Sequence, residues 1–168
     1  EITATVVNSF DKCGGTITID YLGEDECDRV IHPGPFVITV DPAPEATLTA
    51  PLFATPTTCE QAYAFFAPNA TYTNGLTGSC EISGEITATV VNSFDKCGGT
   101  ITVSYLAEDD CARILQAGPF VIDVTPAPEA TVTAPNFPTN ISCVMAEVFV
   151  AGNATYDNGL SGDCNISG

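Results

Sequence analysis

Hydrophobic and polar residues alternate along much of the chain. In the run 99–108, Ile101, Val103 and Tyr105 occupy every second position, and threonine or serine lies between them. An alternation with a period of two is typical of a β-strand with one buried and one solvated face. Similar runs recur between Gly, Pro, Asn and Asp residues, and helical periodicity is nearly absent. The pattern therefore predicts an all-β protein.

The number and spacing of these runs indicate the kind of β structure. Six or seven short strands in about 84 residues are typical of an immunoglobulin-like β-sandwich. The strands predicted in the middle of the chain lie at 45–50, 61–67, 82–91, 99–108 and 119–125, with one or two more between 69 and 78. The composition of 61–67 also allows a helix as the alternative.

An internal repeat sets the organisation of the chain. The segment EITATVVNSFDKCGGTIT begins at Glu1 and returns unchanged at Glu85. Laid over 85–168 without a gap, residues 1–84 match at 57 of 84 positions, and all eight cysteines obey the same shift. The chain is therefore a tandem repeat with a period of 84 residues.

The joint between the two copies predicts where a domain begins. Residues 82–91 alternate across this joint like one strand, and domain boundaries rarely lie inside strands. The proline-rich stretches 41–44 and 125–128 suit a connection better, because proline donates no hydrogen bond to a central strand. We therefore predict a half repeat at 1–41, a complete domain at 42–125 and a half repeat at 126–168; the alternative is two domains, 1–84 and 85–168. On the first phasing, the 168 residues are expected to be a window of a longer repeating polymer.

The net charge of the chain argues against several functional classes. The chain has 21 acidic residues against four Lys or Arg, which gives a formal net charge of −17 at pH 7. Such a surface repels phosphate backbones and anionic lipids, so we expect no binding of nucleic acid. No apolar run is long enough for a membrane span, so no membrane insertion is expected. The single histidine, His32, has no nucleophile–base pair in view, and we predict that the protein is not an enzyme.

Four cysteines per repeat predict two disulfides per domain, although four cysteines allow three connectivities. If 82–91 and 99–108 are neighbouring antiparallel strands, Cys80 lies beside Cys111 at one end of the sandwich. Cys59 and Cys97 then lie at the other end. We therefore predict the pairs Cys80–Cys111 and Cys59–Cys97, each worth roughly 3–4 kcal/mol. The remaining cysteines lack partners within their own half repeats and are expected to pair with adjoining copies: Cys13, Cys27, Cys143 and Cys164.

Three strings carry a family resemblance: GSCEISGEITATV, DKCGGTITVSYLAEDDC and GPFVIDVTPAPEAT. They resemble the hyalin-repeat-like (HYR-like) modules of very large secreted proteins from Bacteroidota-type bacteria, and the resemblance covers the whole chain. It implies immunoglobulin-like sandwiches in tandem arrays, with an extracellular, non-enzymatic, structural or adhesive role. Members of this family often have glycine after the last cysteine, where this chain has Asp28 and Ala112.

Two kinds of surface site are predicted. Four N-x-[ST] sequons are candidate carbohydrate acceptors on exposed loops: Asn69, Asn140, Asn153 and Asn165. The alternative is chance, because Asn and Thr are common in turns.

An acidic turn occurs once in each repeat, and its carboxylates are candidate ligands for Ca²⁺, which takes six to eight oxygens. The carboxylates are those of Asp25, Glu26, Asp109 and Asp110. The sequence favours the alternative, a solvated charged loop paired with Arg29 and Arg113. No other cofactor is expected.

These features together predict a structural subunit of an extracellular, disulfide-stabilised fibre or stalk at the cell surface, with copies of itself as partners. The alternative is an adhesin module that binds surface glycans or a protein. Such a module needs an exposed aromatic patch, and the only aromatic cluster is Tyr63, Phe65, Phe66 and Tyr72. Its alternation predicts that most of the cluster lies in the core.

Overall fold

A computed structural model describes residues 2–168 and is mostly β, with 46% of residues in strands and 10% in helices. The predicted β-rich character is confirmed. The strands are β1 (Ile2–Asp11), β2 (Gly14–Glu24), β3 (Val30–Ile31), β4 (Phe36–Val40), β5 (Thr47–Thr49), β6 (Ala70–Thr73), β7 (Ser83–Ile86), β8 (Thr89–Asp95), β9 (Gly98–Glu108), β10 (Ile114–Val124), β11 (Thr131–Thr133) and β12 (Thr155–Asp157). The helices are α1 (Cys59–Tyr63) and α2 (Cys143–Glu147), and 3₁₀ turns lie at Gly78–Cys80 and Gly162–Cys164.

The strands pair in antiparallel sheets. In the first sheet β1 and β2 form a hairpin from Ile2↔Gly23 to Asp11↔Gly14, and β3 and β4 also pair with β2. A second sheet has the order β5-β6-β7, a third has the order β10-β9-β8, and β11 pairs with β12.

The repeated sequence DKCGG makes the tight turn at the tip of the β1–β2 hairpin. Gly15 has a φ of 142°, and a Cβ there would lie only 2.2 Å from the carbonyl oxygen of Ser9. Only glycine fits this position. The Cys13 amide donates to Asp11 Oδ1 at 2.7 Å. This turn therefore presents Lys12 and Cys13 at the hairpin tip.

Two sequence-based strand predictions are wrong. Residues 61–67 do not form a strand, because α1 begins at Cys59 behind a capping box in which Thr58 and Gln61 bond each other's backbone amides. Residues 82–91 do not form one continuous strand. They form β7 and β8, which belong to different sheets.

The chain forms two compact units, each built from separate stretches. The first comprises residues 2–51, Pro68–Thr89 and Ser104–Gly118; the second comprises Leu52–Ala67, Val90–Val103 and Pro119–Gly168. Each unit thus combines one flanking half repeat with parts of 42–125. The predicted domain boundaries stay a prediction.

Burial is concentrated in the middle of the sequence. Among the described residues, every buried apolar side chain except Ala127 and Cys164 lies between Cys59 and Val124. The largest fully buried side chains are Tyr105, Ile82, Ile101, Ile122 and Val103.

Candidate assembly interface

The repeat supplies an internal comparison, because each position has an equivalent 84 residues away. Ile122 is 1% exposed, whereas its equivalent Ile38 is 50% exposed. Ile86 is 4% exposed, whereas Ile2 is 59% exposed. The same residue at the same repeat position is therefore buried in the middle of the chain and exposed in the 1–41 half.

The 126–168 half shows the same difference. The buried alanines of the middle repeat have exposed equivalents: Ala62 and Ala146, Ala67 and Ala151, Ala70 and Ala154. Each flanking half repeat therefore has exposed apolar side chains where the middle repeat has buried ones.

The aromatic side chains also differ between the middle repeat and the 126–168 half. Phe53 contacts two rings, with ring-centroid distances of 6.0 Å to Phe65 and 5.7 Å to Phe120. In the 126–168 half the equivalent pair, Phe137 and Phe149, is also formed, with centroids 6.1 Å apart. Both of its rings remain about half exposed.

The acidic turn of the middle repeat is organised by Asp109, whose side chain is fully buried. Its Oδ1 accepts the amides of Cys111 and Arg113, and its Oδ2 accepts Arg113 Nε at 2.8 Å. Burial alone would raise the pKa of Asp109, but these hydrogen bonds hold that pKa below its ordinary value. Ala112 completes the turn with a φ of 57°.

Arg113 connects this turn to the proline-rich stretch 41–44. Its guanidinium donates to the carbonyl oxygens of Ala43 at 2.9 Å and Pro44 at 3.3 Å. The Ala43 amide in turn donates to the Lys12 carbonyl at 2.8 Å.

A disulfide and an ion pair fix the first half repeat at this turn. Cys13 at the hairpin tip is bonded to Cys111. Beside it, Lys12 pairs with Asp110, and the hydrogen bond to this carboxylate raises the pKa of Lys12. The tip of the 1–41 half is therefore attached covalently and electrostatically to the middle repeat.

A second disulfide, Cys59–Cys164, fixes the last half repeat. Both cysteines are buried in a cluster with Ala127, against which Leu160 and Ile166 pack. Each flanking half is thus joined to the middle repeat by one disulfide.

The predicted pairs Cys59–Cys97 and Cys80–Cys111 are wrong. They assumed a continuous strand at 82–91, and its division between two sheets removes the register that placed Cys80 beside Cys111. Cys13 and Cys164 each pair with the middle repeat. The remaining cysteines of the described chain are exposed free thiols: Cys27, Cys80, Cys97 and Cys143.

Three of the four candidate calcium ligands pair with basic side chains. Asp25 bonds Arg29 as Asp109 bonds Arg113, and this hydrogen bond holds the pKa of Asp25 below its ordinary value. Asp110 pairs with Lys12, and Glu26 is exposed. Within residues 2–168, no group of three or more His, Cys, Asp or Glu side chains is placed to hold a metal ion.

The sequons differ in their surroundings. Asn69, Asn140 and Asn153 are exposed, and the Asn69 amide donates to Glu85 at 2.9 Å. Asn165 is half-buried and donates to the Leu160 carbonyl at 2.7 Å. Three of the four side chains are therefore open to an enzyme that attaches sugar.

The aromatic cluster does not lie mostly in the core, so that prediction is wrong. Phe66 is 83% exposed, and Tyr63 is exposed while its ring packs 5.0 Å from that of Phe94. Phe65 and Tyr72 are half-buried. The reason is α1, which replaces the alternation of a strand over the first part of the cluster.

Sequence reasoning missed the role of the lysines. Lys12 pairs with Asp110, and Lys96 Nζ donates to the Asn165 carbonyl at 3.3 Å. A signal was available, because the chain's only four basic residues recur at two repeat positions.

Comparison with known proteins gives no match, whether to family models, to curated sequences or to solved structures. In the part of the chain that the structure describes, no helix has the length and apolar character to cross a bilayer. Two disulfides are typical of proteins in an oxidising, extracellular environment.

Proposed function

We propose that the protein is a structural subunit of an extracellular fibre, in which copies follow one another head to tail. Each half repeat completes an immunoglobulin-like β-sandwich with a half from the adjoining copy. The observation that supports this most directly is the burial of Ile86 and Ile122 in the middle repeat and the exposure of their equivalents, Ile2 and Ile38. Apolar surface of this kind is typical of an interface.

The sheet contacts support the same assembly. In the middle repeat β6 and β7 pair Tyr72 with Gly84 and Ala70 with Ile86. The first of these pairs recurs at the end of the chain, where Tyr156 and Gly168 exchange backbone hydrogen bonds of 2.8 and 3.0 Å. The second pair would need Ala154, which is exposed, and Ile2 of a following copy.

The aromatic contacts point the same way. Phe137 and Phe149 reproduce the pair Phe53 and Phe65, which also contacts Phe120. The residue of a following copy equivalent to Phe120 is Phe36, which is 52% exposed. A head-to-tail neighbour would supply this third ring.

The remaining features suit a fibre at the cell surface. On this proposal the complete sandwich is 42–125, and it resembles an HYR-like module. The net charge of −17 keeps fibres apart laterally. Asn69, Asn140 and Asn153 lie where attached glycans would face solvent.

The test is electron microscopy and light scattering of the purified chain with two matched variants. Ile38→Asp places a charge on the exposed apolar face. Thr39→Asp places the same charge on the neighbouring residue, where the second repeat already has Asp123. We expect filaments with a regular axial repeat from the natural chain and Thr39→Asp, and folded monomers from Ile38→Asp.

Discrete 17.4 kDa monomers of the natural chain at all concentrations would contradict the proposal. Retained binding of surface glycans by such monomers would then favour the adhesin alternative.

A further inference from the structure

The geometry points to two disulfides across each junction between copies of this chain. Cys97 of one copy bonds Cys27 of the next, and Cys143 of the first bonds Cys80 of the next. This inference rests on the proposed head-to-tail fibre and names the covalent chemistry that closes it.

The pairing follows from the two disulfides within the chain. Cys97 is the repeat equivalent of Cys13, and Cys27 is the equivalent of Cys111. Moving the bond Cys13–Cys111 along by one repeat therefore joins Cys97 to Cys27 of the following copy.

The second bond moves in the same way. Cys143 is equivalent to Cys59, and Cys80 is equivalent to Cys164, so Cys59–Cys164 becomes Cys143 to Cys80 of the following copy. These two bonds use each free thiol of the described chain once and leave none over.

Cys97 and Cys27 are already held like their bonded equivalents. The Cys97 amide donates to Asp95 Oδ1 at 2.7 Å, as the Cys13 amide does to Asp11. The Cys27 amide donates to Asp25 Oδ1 at 2.9 Å, as that of Cys111 does to Asp109. Little rearrangement is therefore needed to form this bond.

Cys143 and Cys80 are also held like their equivalents. Cys143 begins α2 as Cys59 begins α1. Cys80 ends a 3₁₀ turn, and its carbonyl oxygen accepts the side-chain amide of Asn74 at 2.9 Å. Cys164 ends the equivalent turn, and its carbonyl oxygen accepts the amide of Asn158 at 2.9 Å.

The charges around the first bond are preserved in the repeat. Lys96 and Glu26 are the equivalents of the ion pair Lys12–Asp110. The Arg29 side chain is 76% exposed, whereas that of Arg113 is 23% exposed because it reaches the carbonyls of Ala43 and Pro44. In the fibre, Arg29 would reach the equivalent carbonyls of Ala127 and Pro128 in the preceding copy.

The bond-forming step is thiol–disulfide exchange with a small-molecule disulfide such as glutathione disulfide. One cysteine thiolate attacks the oxidant, forms a mixed disulfide and releases one glutathione thiolate. The partner cysteine then displaces the second glutathione. Formation of each protein disulfide thus removes two protons and two electrons from the two cysteine thiols. These reduce one glutathione disulfide to two glutathione thiols.

The pairing is tested with two double variants in a glutathione redox buffer, followed by non-reducing electrophoresis. Cys27→Ser with Cys97→Ser removes both members of one pair and leaves Cys80 and Cys143. Cys27→Ser with Cys143→Ser removes one member of each pair. Both variants lose two thiols and keep both internal disulfides. We expect a ladder in multiples of 17.4 kDa from the first variant and none from the second.

A mixing experiment tests the direction of the bonds. One variant, Cys97→Ser with Cys143→Ser, retains the free thiols Cys27 and Cys80. The other, Cys27→Ser with Cys80→Ser, retains Cys97 and Cys143. Each variant alone should stay without covalent links, and an equal mixture should give covalent dimers and nothing longer. A covalent dimer of either variant alone would overturn the inference, because it requires like thiols or thiols of the same side to pair.

Mass analysis identifies the bonds directly. Trypsin alone leaves two cysteines in each cysteine-containing peptide. Added cleavage after Glu24, Glu60, Glu108 and Glu147 separates them. Peptides joining Cys97 to Cys27 and Cys143 to Cys80 are expected only in the ladder bands. Filaments without these peptides would overturn the inference and leave the fibre intact, whereas the absence of both filaments and ladder would contradict the fibre as well.

Discussion

A single buried carboxylate organises the turn that holds Cys111. Asp109 accepts two backbone amides and the Arg113 guanidinium, which itself holds the stretch 41–44. The turn also places Ala112 in the left-handed region, at a φ of 57°. Its equivalent in the first repeat, Asp28, has the same conformation with a φ of 59°. This conformation suits glycine. In each turn the aspartate carboxylate accepts the backbone amides on both sides of the residue that adopts it.

This arrangement predicts a pH-dependent contribution to stability. The pKa of Asp109 lies below its ordinary value of 3.8, so the contribution is complete above that value and is lost as the pH falls through the lower pKa of the folded state. Asp109→Asn should lower the free energy of unfolding by about 2–3 kcal/mol at pH 7, because Arg113 loses its charged partner.

The measurement is denaturant unfolding of both proteins at several pH values. The difference between them should shrink as the pH falls below about 4. Asp25→Asn is the matched control and should have a smaller effect, since Arg29 is largely exposed. A difference that is constant from pH 7 to pH 2 would contradict this account.

At the scale of elements, one substitution changes a strand. In the second repeat, residues 114–124 form one long strand, β10. The equivalent residues 30–40 of the first repeat are divided into β3 and β4. The first repeat has Pro33 where the second has Ala117. Proline donates no backbone hydrogen bond, so it interrupts the pairing with β2.

The equivalent strands β4 and β10 of the two repeats predict unequal effects of the same truncation. Ile122→Ala should lower the free energy of unfolding by about 3–4 kcal/mol, because it leaves a cavity around a fully buried side chain. Ile38→Ala is the matched control at the equivalent position and should cost less than about 1 kcal/mol in the monomer. Thermal and denaturant unfolding of both variants measure this, and equal losses would mean that Ile38 is buried in solution.

Much of the β structure was predictable because alternation survives in the sequence. β9 lies where Ile101, Val103 and Tyr105 alternate, and β5 lies within the predicted 45–50. A strand was preferred to a helix at 61–67 because these residues also alternate, and α1 shows that the preference was wrong. The capping pair Thr58 and Gln61 was the local signal for the helix.

The disulfides could not be derived in this way. Local patterns fix which residues form a strand, but Cys13 and Cys111 meet only through contacts between segments separated by 98 residues. The break between β7 and β8 is equally non-local, because each part follows the sheet that it joins. The candidate interface became visible only when the exposure of equivalent residues could be compared.

At the scale of the whole molecule, each disulfide closes a loop longer than one repeat. The separations are 98 residues for Cys13–Cys111 and 105 for Cys59–Cys164. Loops of this length restrict the unfolded chain strongly, which makes these bonds worth roughly 4–5 kcal/mol each in the chain-entropy description.

Removal of one internal disulfide should therefore destabilise the monomer. Cys13→Ser with Cys111→Ser is expected to lower the free energy of unfolding by about 4 kcal/mol. Cys27→Ser with Cys97→Ser is the control and should leave the stability of the isolated monomer unchanged. Calorimetry at a concentration where the chain is monomeric measures both, and equal stability of the two variants would contradict the structural role of Cys13–Cys111.

The two loops overlap between Cys59 and Cys111, and this has a mechanical consequence. Because the two bridges interlock, a chain pulled taut by its two ends carries the load through one bridge and one backbone segment, such as that from Cys13 to Cys59, and the rest of the polypeptide is relieved. A stretch of 98 residues would lengthen to roughly 330 Å if it unravelled, and its bridge withholds that length. In a fibre built this way, neither loop could extend fully until its disulfide is reduced or broken.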